Sequence, residues 1–232
     1  TVVYKPYFEQ SVKTIDSLPL IPDQKKYIEK SKDFFVWSEF AENEAKKLGY
    51  NNVKTIPGII SSKYFFKLPK YRKQELKQKL NLPPNSFIAG FVFRNQLRKE
   101  VGVLLEGYSI FKKQNPEIKN TYLLLHTHWQ EPGGWDIHRF CDEYGINKNE
   151  VLTTYVCRNC QEIDIKPYTG QDLNCRFCSV NGSNQGTGQV TCQVGIGCAE
   201  EQLNEVYNLM DCYNHLFNAG GLEMPIVEAL YC

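Results

Sequence analysis

The sequence has no long apolar run, no signal-peptide pattern and no excess of charge of either sign. No stretch approaches the roughly 20 apolar residues that a membrane helix needs. The first residues lack the basic start and apolar stretch of a secretory signal, so we expect no signal peptide. The formal net charge of +1 argues against a general binder of nucleic acids or membrane surfaces.

The composition is that of a globular protein, except for its cysteines. At 232 residues, with 42% hydrophobic and 23% charged residues, the chain can form one large domain or two modest ones. Eight of its nine cysteines follow residue 150. A small secreted protein places disulfide cysteines throughout its fold, whereas a local cluster favours a metal site in a reducing compartment. We therefore expect a cytoplasmic protein.

Strand and helix patterns alternate along the chain from Asp33 onward. The strand patterns lie at 33–37, 53–56, 87–93, 122–126, 151–155 and 212–217. Helical patterns lie at 39–48, 100–114, 136–144 and 199–210, with a further helix starting near Pro225. This alternation predicts an α/β fold with a parallel, Rossmann-like sheet, which binds ligands at the carboxyl ends of its strands. The strongly basic segment 61–81 is typical of a linker with a solvated surface helix.

The strongest local pattern is a pair of Cys-x-x-Cys motifs, formed by Cys157, Cys160, Cys175 and Cys178. Two such turns facing each other supply the four soft ligands of a tetrahedral zinc site, and the gap between them is close to that of a zinc ribbon. We predict a structural Zn²⁺, because a closed four-thiolate site leaves no position for a substrate. Two disulfides or four unrelated thiols are the alternatives. Cys192 and Cys198 are either alternative ligands or buried free thiols.

A second pattern places cations directly after a buried strand. In FVFRNQLRKEVGVLL, Arg94 and Lys99 lie where a loop would open the ligand cleft, and Arg98 lies between them. Arginine binds a diphosphate bidentately and lysine acts as a point charge, so the segment suits a diphosphate ligand. A solvated turn is the alternative interpretation.

A third pattern joins a turn to the last helix. Gly220 and Gly221 follow a strand pattern and precede Pro225, so their backbone N–H groups are placed to meet an anion. Glu228 follows in the first turns of that helix and can accept a hydrogen bond from a ribose hydroxyl. Its alternative role is to complement the helix dipole.

Together these segments resemble the retaining glycosyltransferases of family four, which have two Rossmann domains (GT-B type). In that family an arginine after a strand and a lysine five residues later hold the donor diphosphate, which is the spacing of Arg94 and Lys99. The family's Glu-Gly-Phe-Gly-Leu-Pro-Ile-Leu-Glu-Ala helix resembles GGLEMPIVEA (220–229), with Glu228 in register. The chain departs from the family pattern at Gly220, where the family has a glutamate, and at Phe93, where glycine is usual.

The resemblance implies the roles of these residues. Arg94 and Lys99 would stabilise the leaving diphosphate, Glu228 would bind the ribose, and Glu223 would take the place of the missing glutamate and contact the sugar. The amides of Gly220 and Gly221 would assist. The reaction would move a hexose from a UDP- or GDP-linked donor to a hydroxyl acceptor with retention of configuration, without a catalytic divalent metal.

The resemblance also implies a domain arrangement. Residues 1–60 would be the end of an acceptor-binding Rossmann domain, 61–84 a linker, and 85–232 the donor-binding domain, with 156–194 inserted as a zinc knuckle. Because most of the acceptor domain is missing, we expect a fragment of a longer protein. His126 and His128 follow a strand and either line the donor cleft or have structural roles. The rival hypothesis is a non-enzymatic zinc-ribbon module that binds protein or nucleic acid.

Overall fold

A computed structural model of the chain describes residues 10–12, 15, 18–58, 60–170, 174–180, 188–193 and 195–232. Parts of the predicted segments 1–60 and 156–194 lie outside these residues. Contacts divide the chain into two compact units. The first contains the residues up to Ile60 with Asn218–Met224, and the second contains Ser61–Phe217 with Pro225–Cys232. The domain boundaries proposed from the sequence stay predictions.

The first unit contains a three-stranded parallel sheet in the order β1-β2-β3. Its elements are β1 (Gln10–Val12), α1 (Pro22–Lys30), β2 (Asp33–Val36), α2 (Glu39–Lys47) and β3 (Val53–Thr55). As the sequence predicted, Ser38 caps α2, since its hydroxyl accepts a hydrogen bond from the Ala41 N–H at 3.2 Å. The core lies where the buried face of β2 meets α2.

The second unit contains a larger sheet in the order β7-β6-β5-β4-β9, with β8 also paired to β6. Its strands are β4 (Phe87–Val92), β5 (Thr121–His126), β6 (Val151–Cys157), β7 (Ile163–Pro167), β8 (Gln189–Thr191) and β9 (Cys212–Tyr213). The pairs of β4 with β5 and β9, and of β5 with β6, are parallel. The predicted α/β class is therefore confirmed, although β9 is shorter than the segment 212–217 predicted for it.

Helices flank this sheet along the chain. They are α3 (Lys70–Lys79), α4 (Val101–Gln114), α5 (Ile137–Glu143), α6 (Arg176–Val180), α7 (Glu200–Leu209) and α8 (Met224–Tyr231). The largest described core cluster joins the buried residues of β4 and β5 to those of α4 and α5. Phe91 and Leu105 are fully buried in it, so burial of apolar surface fixes the strands whose ends carry the candidate site.

The described part of the cysteine-rich insertion continues the sheet. Strand β7 pairs antiparallel with β6, with Val156 opposite Ile163. Ile163 and Ile165 are buried. The apolar side chains of β7 therefore add to the buried face of the sheet.

Part of the basic segment is not solvated. Lys77 is 5% exposed and its ammonium donates to the backbone oxygen of Ser86 at 2.7 Å. Lys73 donates to the backbone oxygen of Met210 at 3.0 Å and pairs with Asp211 at 2.6 Å. These two lysines bind backbone oxygens and a carboxylate of the second unit, so the expectation of a solvated face is corrected at these two positions.

Candidate functional site

The candidate site is built on the carboxyl edge of the second sheet. Strands β4 and β5 end together, since Val92 pairs with His126 and the Phe93 N–H donates to the His126 carbonyl at 3.2 Å. The loops that follow are fastened to each other, because the Asn95 amide exchanges two 2.9 Å hydrogen bonds with the backbone of Trp135. A Cβ on Gly134 would lie 2.5 Å from the Asn95 carbonyl oxygen, so this close approach requires glycine. The edge is therefore a defined scaffold for the side chains that project from it.

Arg94 lies at the end of β4 and is paired with Glu131. Its Nε and Nη2 donate to Glu131 Oε1 at 2.9 and 2.6 Å. The hydrogen bond from Arg94 is the largest cause that lowers the pKa of Glu131, and His128 Nδ1, 3.3 Å from Oε2, contributes. The Arg94 side chain is still 54% exposed, against 12% for Glu131. The guanidinium is thus oriented by a carboxylate and open to a ligand.

Lys99 has a different environment, although it is only five residues away. The residue is 2% exposed, and its ammonium lies 3.2 Å from His215 Nε2 and 5.2 Å from the centre of the Phe217 ring. His215 Nδ1 lies 2.7 Å from the hydroxyl of Tyr213. If the ammonium donates to Nε2, the ring carries its proton on Nδ1 and donates it to Tyr213. Lys99 is a buried, directed cation rather than part of a solvated turn.

Glu228 belongs to the same contact network as Lys99. On α8, its Oε2 accepts a hydrogen bond from the Tyr207 hydroxyl at 2.6 Å. Burial raises the pKa of Glu228, while the Tyr207 hydrogen bond opposes that rise. The Tyr207 ring packs edge-on against Tyr213, with centroids 5.7 Å apart, and Tyr213 contacts His215. The structure therefore links Glu228 to Lys99 through three side chains.

The remaining predicted residues lie in the segment 218–224, which clusters with the first unit. There Leu222 packs so closely on Gly58 that a Cβ at position 58 would lie 2.0 Å from Leu222 Cδ2. Gly220, Gly221 and Glu223 are carried by this segment, and their roles stay predictions.

The four predicted zinc cysteines meet in one cluster, which we call the four-cysteine cluster. Their sulfur atoms all lie within 4.8 Å of one another, with Cys157 3.5 Å from Cys178 and Cys160 3.7 Å from Cys175. These separations exceed the roughly 2.05 Å of a disulfide. They are close to the roughly 3.8 Å that separates sulfur atoms held 2.3 Å from a tetrahedral zinc. The arrangement fits a metal and not two disulfides.

Asn159 supports the four-cysteine cluster from the first Cys-x-x-Cys turn. Its backbone N–H donates to Cys157 Sγ at 3.4 Å, and its side-chain amide donates to Cys178 Sγ at 3.5 Å. Donors aimed at sulfur stabilise the thiolate form that binds metal. Asn159 was not identified from the sequence, although its place inside the Cys-x-x-Cys turn offered a signal.

His126 and His128 separate into different roles. His128 contacts Glu131, as described above. His126 Nδ1 lies 3.1 Å from the Thr154 hydroxyl on β6. Burial lowers the pKa of His126 to about 4, so its ring is neutral at physiological pH.

Two further features lie away from this edge. A cavity of about 400 Å³ opens near the amino ends of β5 and β6, with Tyr122, Leu152 and Arg176 among its lining residues. It therefore lies at the opposite edge of the sheet from Arg94. Among the helices of the described residues, none has the length and apolarity needed to cross a membrane.

One of the solved structures compared with this chain supports the fold. No protein-family model and no curated protein matches the sequence. The match with the sucrose-phosphate synthase of Thermosynechococcus elongatus covers 94% of this chain and 47% of the synthase chain, with a TM-score of 0.57 and 15% sequence identity. The match with a glycosyltransferase from Rickettsia africae covers 61% of this chain and 39% of the glycosyltransferase chain, with a TM-score of 0.45 and 18% sequence identity. The chain spans about half the length of the synthase, with which it shares its α/β fold.

Proposed function

We propose that this chain is the donor-binding part of a GT-B glycosyltransferase of the retaining, family-four type. It would transfer a hexose from a UDP- or GDP-linked donor to a hydroxyl acceptor. The observation that carries the proposal is the placement of Arg94 and Lys99 after β4, at the edge where parallel sheets bind ligands. The fold shared with a sucrose-phosphate synthase supports it.

Arg94 would bind the donor diphosphate through its exposed guanidinium. The side chain already makes two hydrogen bonds to one carboxylate oxygen of Glu131, so it is presented in the orientation used for oxyanions. A diphosphate carries more negative charge than one carboxylate and would compete with Glu131 for these donors. Glu131 therefore positions Arg94 before the donor binds.

Lys99 would act on the charge that grows on the diphosphate as the glycosidic bond breaks. A buried ammonium interacts more strongly with a developing anion than a solvated one, because little water screens it. His215 holds the ammonium in place. Glu228 would orient the ribose, while Gly220 and Gly221 would offer amides and Glu223 would contact the sugar.

The four-cysteine cluster would hold a structural Zn²⁺. The metal would tie the end of β6 to the start of α6. Because four thiolates complete its coordination, it would take no part in sugar transfer.

Calorimetric titration of the full chain with UDP and with GDP tests the proposal. A hydrogen bond to a charged group contributes about 1.5–3 kcal/mol. Arg94→Ala and Lys99→Met should therefore each lower the affinity for the preferred nucleotide about 10- to 150-fold. Methionine is chosen at position 99 because it fills the buried volume without the charge. Arg72→Ala is the matched control, since Arg72 pairs with Glu75 on the exposed face of α3. This variant should bind the nucleotide with the affinity of the wild type.

The outcomes separate the two hypotheses for this chain. Binding that is lost in the Arg94 and Lys99 variants and kept in the Arg72 variant supports a donor site. If neither nucleotide binds at millimolar concentration, the donor site is refuted and the zinc-ribbon binding module becomes the better hypothesis. Binding that is unaffected by both variants would place the nucleotide elsewhere.

A further inference from the structure

A second group of metal-binding side chains lies apart from the four-cysteine cluster. The ligand atoms of His126, Cys192 and Cys198 all lie within 4.8 Å of one another. Ligands of a tetrahedral zinc, at about 2.0–2.3 Å from the metal, are separated by roughly 3.4–3.8 Å. A small adjustment of side-chain rotamers would therefore bring all three onto one ion.

Strand pairing brings these residues together from distant parts of the chain. His126 is the last residue of β5, and Cys192 directly follows β8. The Cys192 N–H donates to the Thr154 carbonyl on β6 at 3.4 Å. Gln193 and Ile196 then exchange two 3.0 Å backbone hydrogen bonds, which turn the chain back so that Cys198 meets Cys192.

His126 has the outer hydrogen-bond partner that a metal-binding histidine uses. Its Nδ1 lies 3.1 Å from the Thr154 hydroxyl, and a proton donated there leaves the Nε2 lone pair for a metal. Metal-binding histidines nearly always use their second nitrogen in this way, because the outer hydrogen bond fixes the tautomer and the ring. Thr154 is buried and stands on the strand next to His126.

We propose that His126, Cys192 and Cys198 form a second Zn²⁺ site. Two thiolates and an imidazole are a ligand set that binds Zn²⁺ well, because thiolates and imidazole both suit this ion. Three protein ligands leave the fourth position to water or to an exogenous ligand, whereas the four-cysteine cluster is closed. The site lies on the carboxyl edge of the sheet, one strand away from Arg94. It does not depend on the proposed sugar transfer.

Elemental analysis of the full chain, purified with excess zinc and then desalted, tests the proposal. Wild type should contain two zinc ions per chain, and Cys192→Ser/Cys198→Ser should contain one. Cys212→Ser is the matched control and should keep two, because Cys212 is exposed on β9 and belongs to neither group. One zinc in the wild type, or two in the double variant, overturns the proposal. A Cys192–Cys198 disulfide found by peptide mass mapping of the protein purified under reducing conditions would also overturn it.

A second measurement remains decisive if the double variant fails to fold. Thr154→Val keeps the shape of the side chain and removes the oxygen that orients His126. Loss of such an outer hydrogen bond weakens metal binding about 10- to 100-fold. In competition with a chromophoric chelator, the affinity of one of the two zinc sites should fall by that factor, and the affinity of the other should be unchanged. Equal affinities of both ions in the variant and wild type contradict the site.

Discussion

Replacing Tyr207 with phenylalanine removes one partly buried hydrogen bond, the bond to Glu228. The two oxygens are 2.6 Å apart, and Tyr207 is 4% exposed. A hydrogen bond to a charged partner contributes about 1.5–3 kcal/mol, against about 0.5–1.5 kcal/mol for a neutral pair. We expect Tyr207→Phe to lower the free energy of unfolding by about 1.5–3 kcal/mol at a pH where Glu228 is ionised.

Tyr108 supplies a matched control. Its hydroxyl donates to the backbone oxygen of Thr121 at 2.8 Å, and the residue is 6% exposed. Burial raises the pKa of both phenols, so both keep the proton that they donate. Because the acceptor of Tyr108 is neutral, Tyr108→Phe should cost only about 0.5–1.5 kcal/mol, with no dependence on pH.

The pH dependence of the Tyr207 variant follows from the pKa of Glu228. Burial raises that pKa above its ordinary value of 4.5, and the Tyr207 hydrogen bond limits the rise. When a carboxyl group has a higher pKa in the folded state than in the unfolded state, the free energy of unfolding of the protein falls as the pH rises from the unfolded pKa to the folded pKa. Above the folded pKa this loss of stability is constant. Without Tyr207 the folded pKa rises further, so the loss grows. The cost of Tyr207→Phe should be greatest at high pH and shrink as the pH falls toward 4.5.

Urea unfolding followed by tryptophan fluorescence measures this effect. Wild type, Tyr207→Phe and Tyr108→Phe are compared from about pH 8 to about pH 5.5, and the quantity of interest is the difference between the two variants. Any metal released from cysteines at low pH affects all three proteins alike and cancels in that difference. A cost of Tyr207→Phe that stays constant with pH, or that never exceeds the cost of Tyr108→Phe, would refute an ionised Glu228 as the partner.

Two further predictions concern stability. Gly107→Ala, on the exposed face of α4, should raise the free energy of unfolding by about 0.5–1 kcal/mol, because alanine favours helix and nothing lies within 4 Å of the added Cβ. Gly102→Ala in the same helix should gain less or be destabilising, since its Cβ would lie 3.0 Å from Phe140 Cζ; equal melting temperatures for the two variants would contradict this reasoning. Removing metal with a chelator should lower the melting temperature of wild type, and should do so less in Cys157→Ser/Cys160→Ser; a wild type insensitive to chelator would contradict a structural metal in the four-cysteine cluster.

Local patterns predicted most elements of the fold because the forces that form them act over a few residues. The cap at Ser38 and the apolar spacing in α4 identify two helices to within a residue or two. Pairing is harder to predict, because it depends on which edge a segment meets. Strand β7 carries alternating polar and apolar residues that suit a free hairpin equally well, and only β6 decides that it extends the sheet. Helix α1 was not predicted, since its apolar content is low and Ile28 is its buried residue.

The same distinction explains which parts of the candidate site the sequence could reveal. The four-cysteine cluster was predicted because each pair of ligands is made by one short turn, so spacing alone encodes half of the geometry. Glu131 meets Arg94 from 37 residues away, and His215 meets Lys99 from 116 residues away. Such partners become neighbours only when parallel strands end at the same edge of the sheet. The spacing of residues along the chain does not predict contacts of this kind. His126 is the extreme case, because its sequence context is that of an ordinary buried strand end. Only the turn from Cys192 to Cys198, placed by the pairing of β6 with β8, gives that histidine the surroundings of a metal ligand.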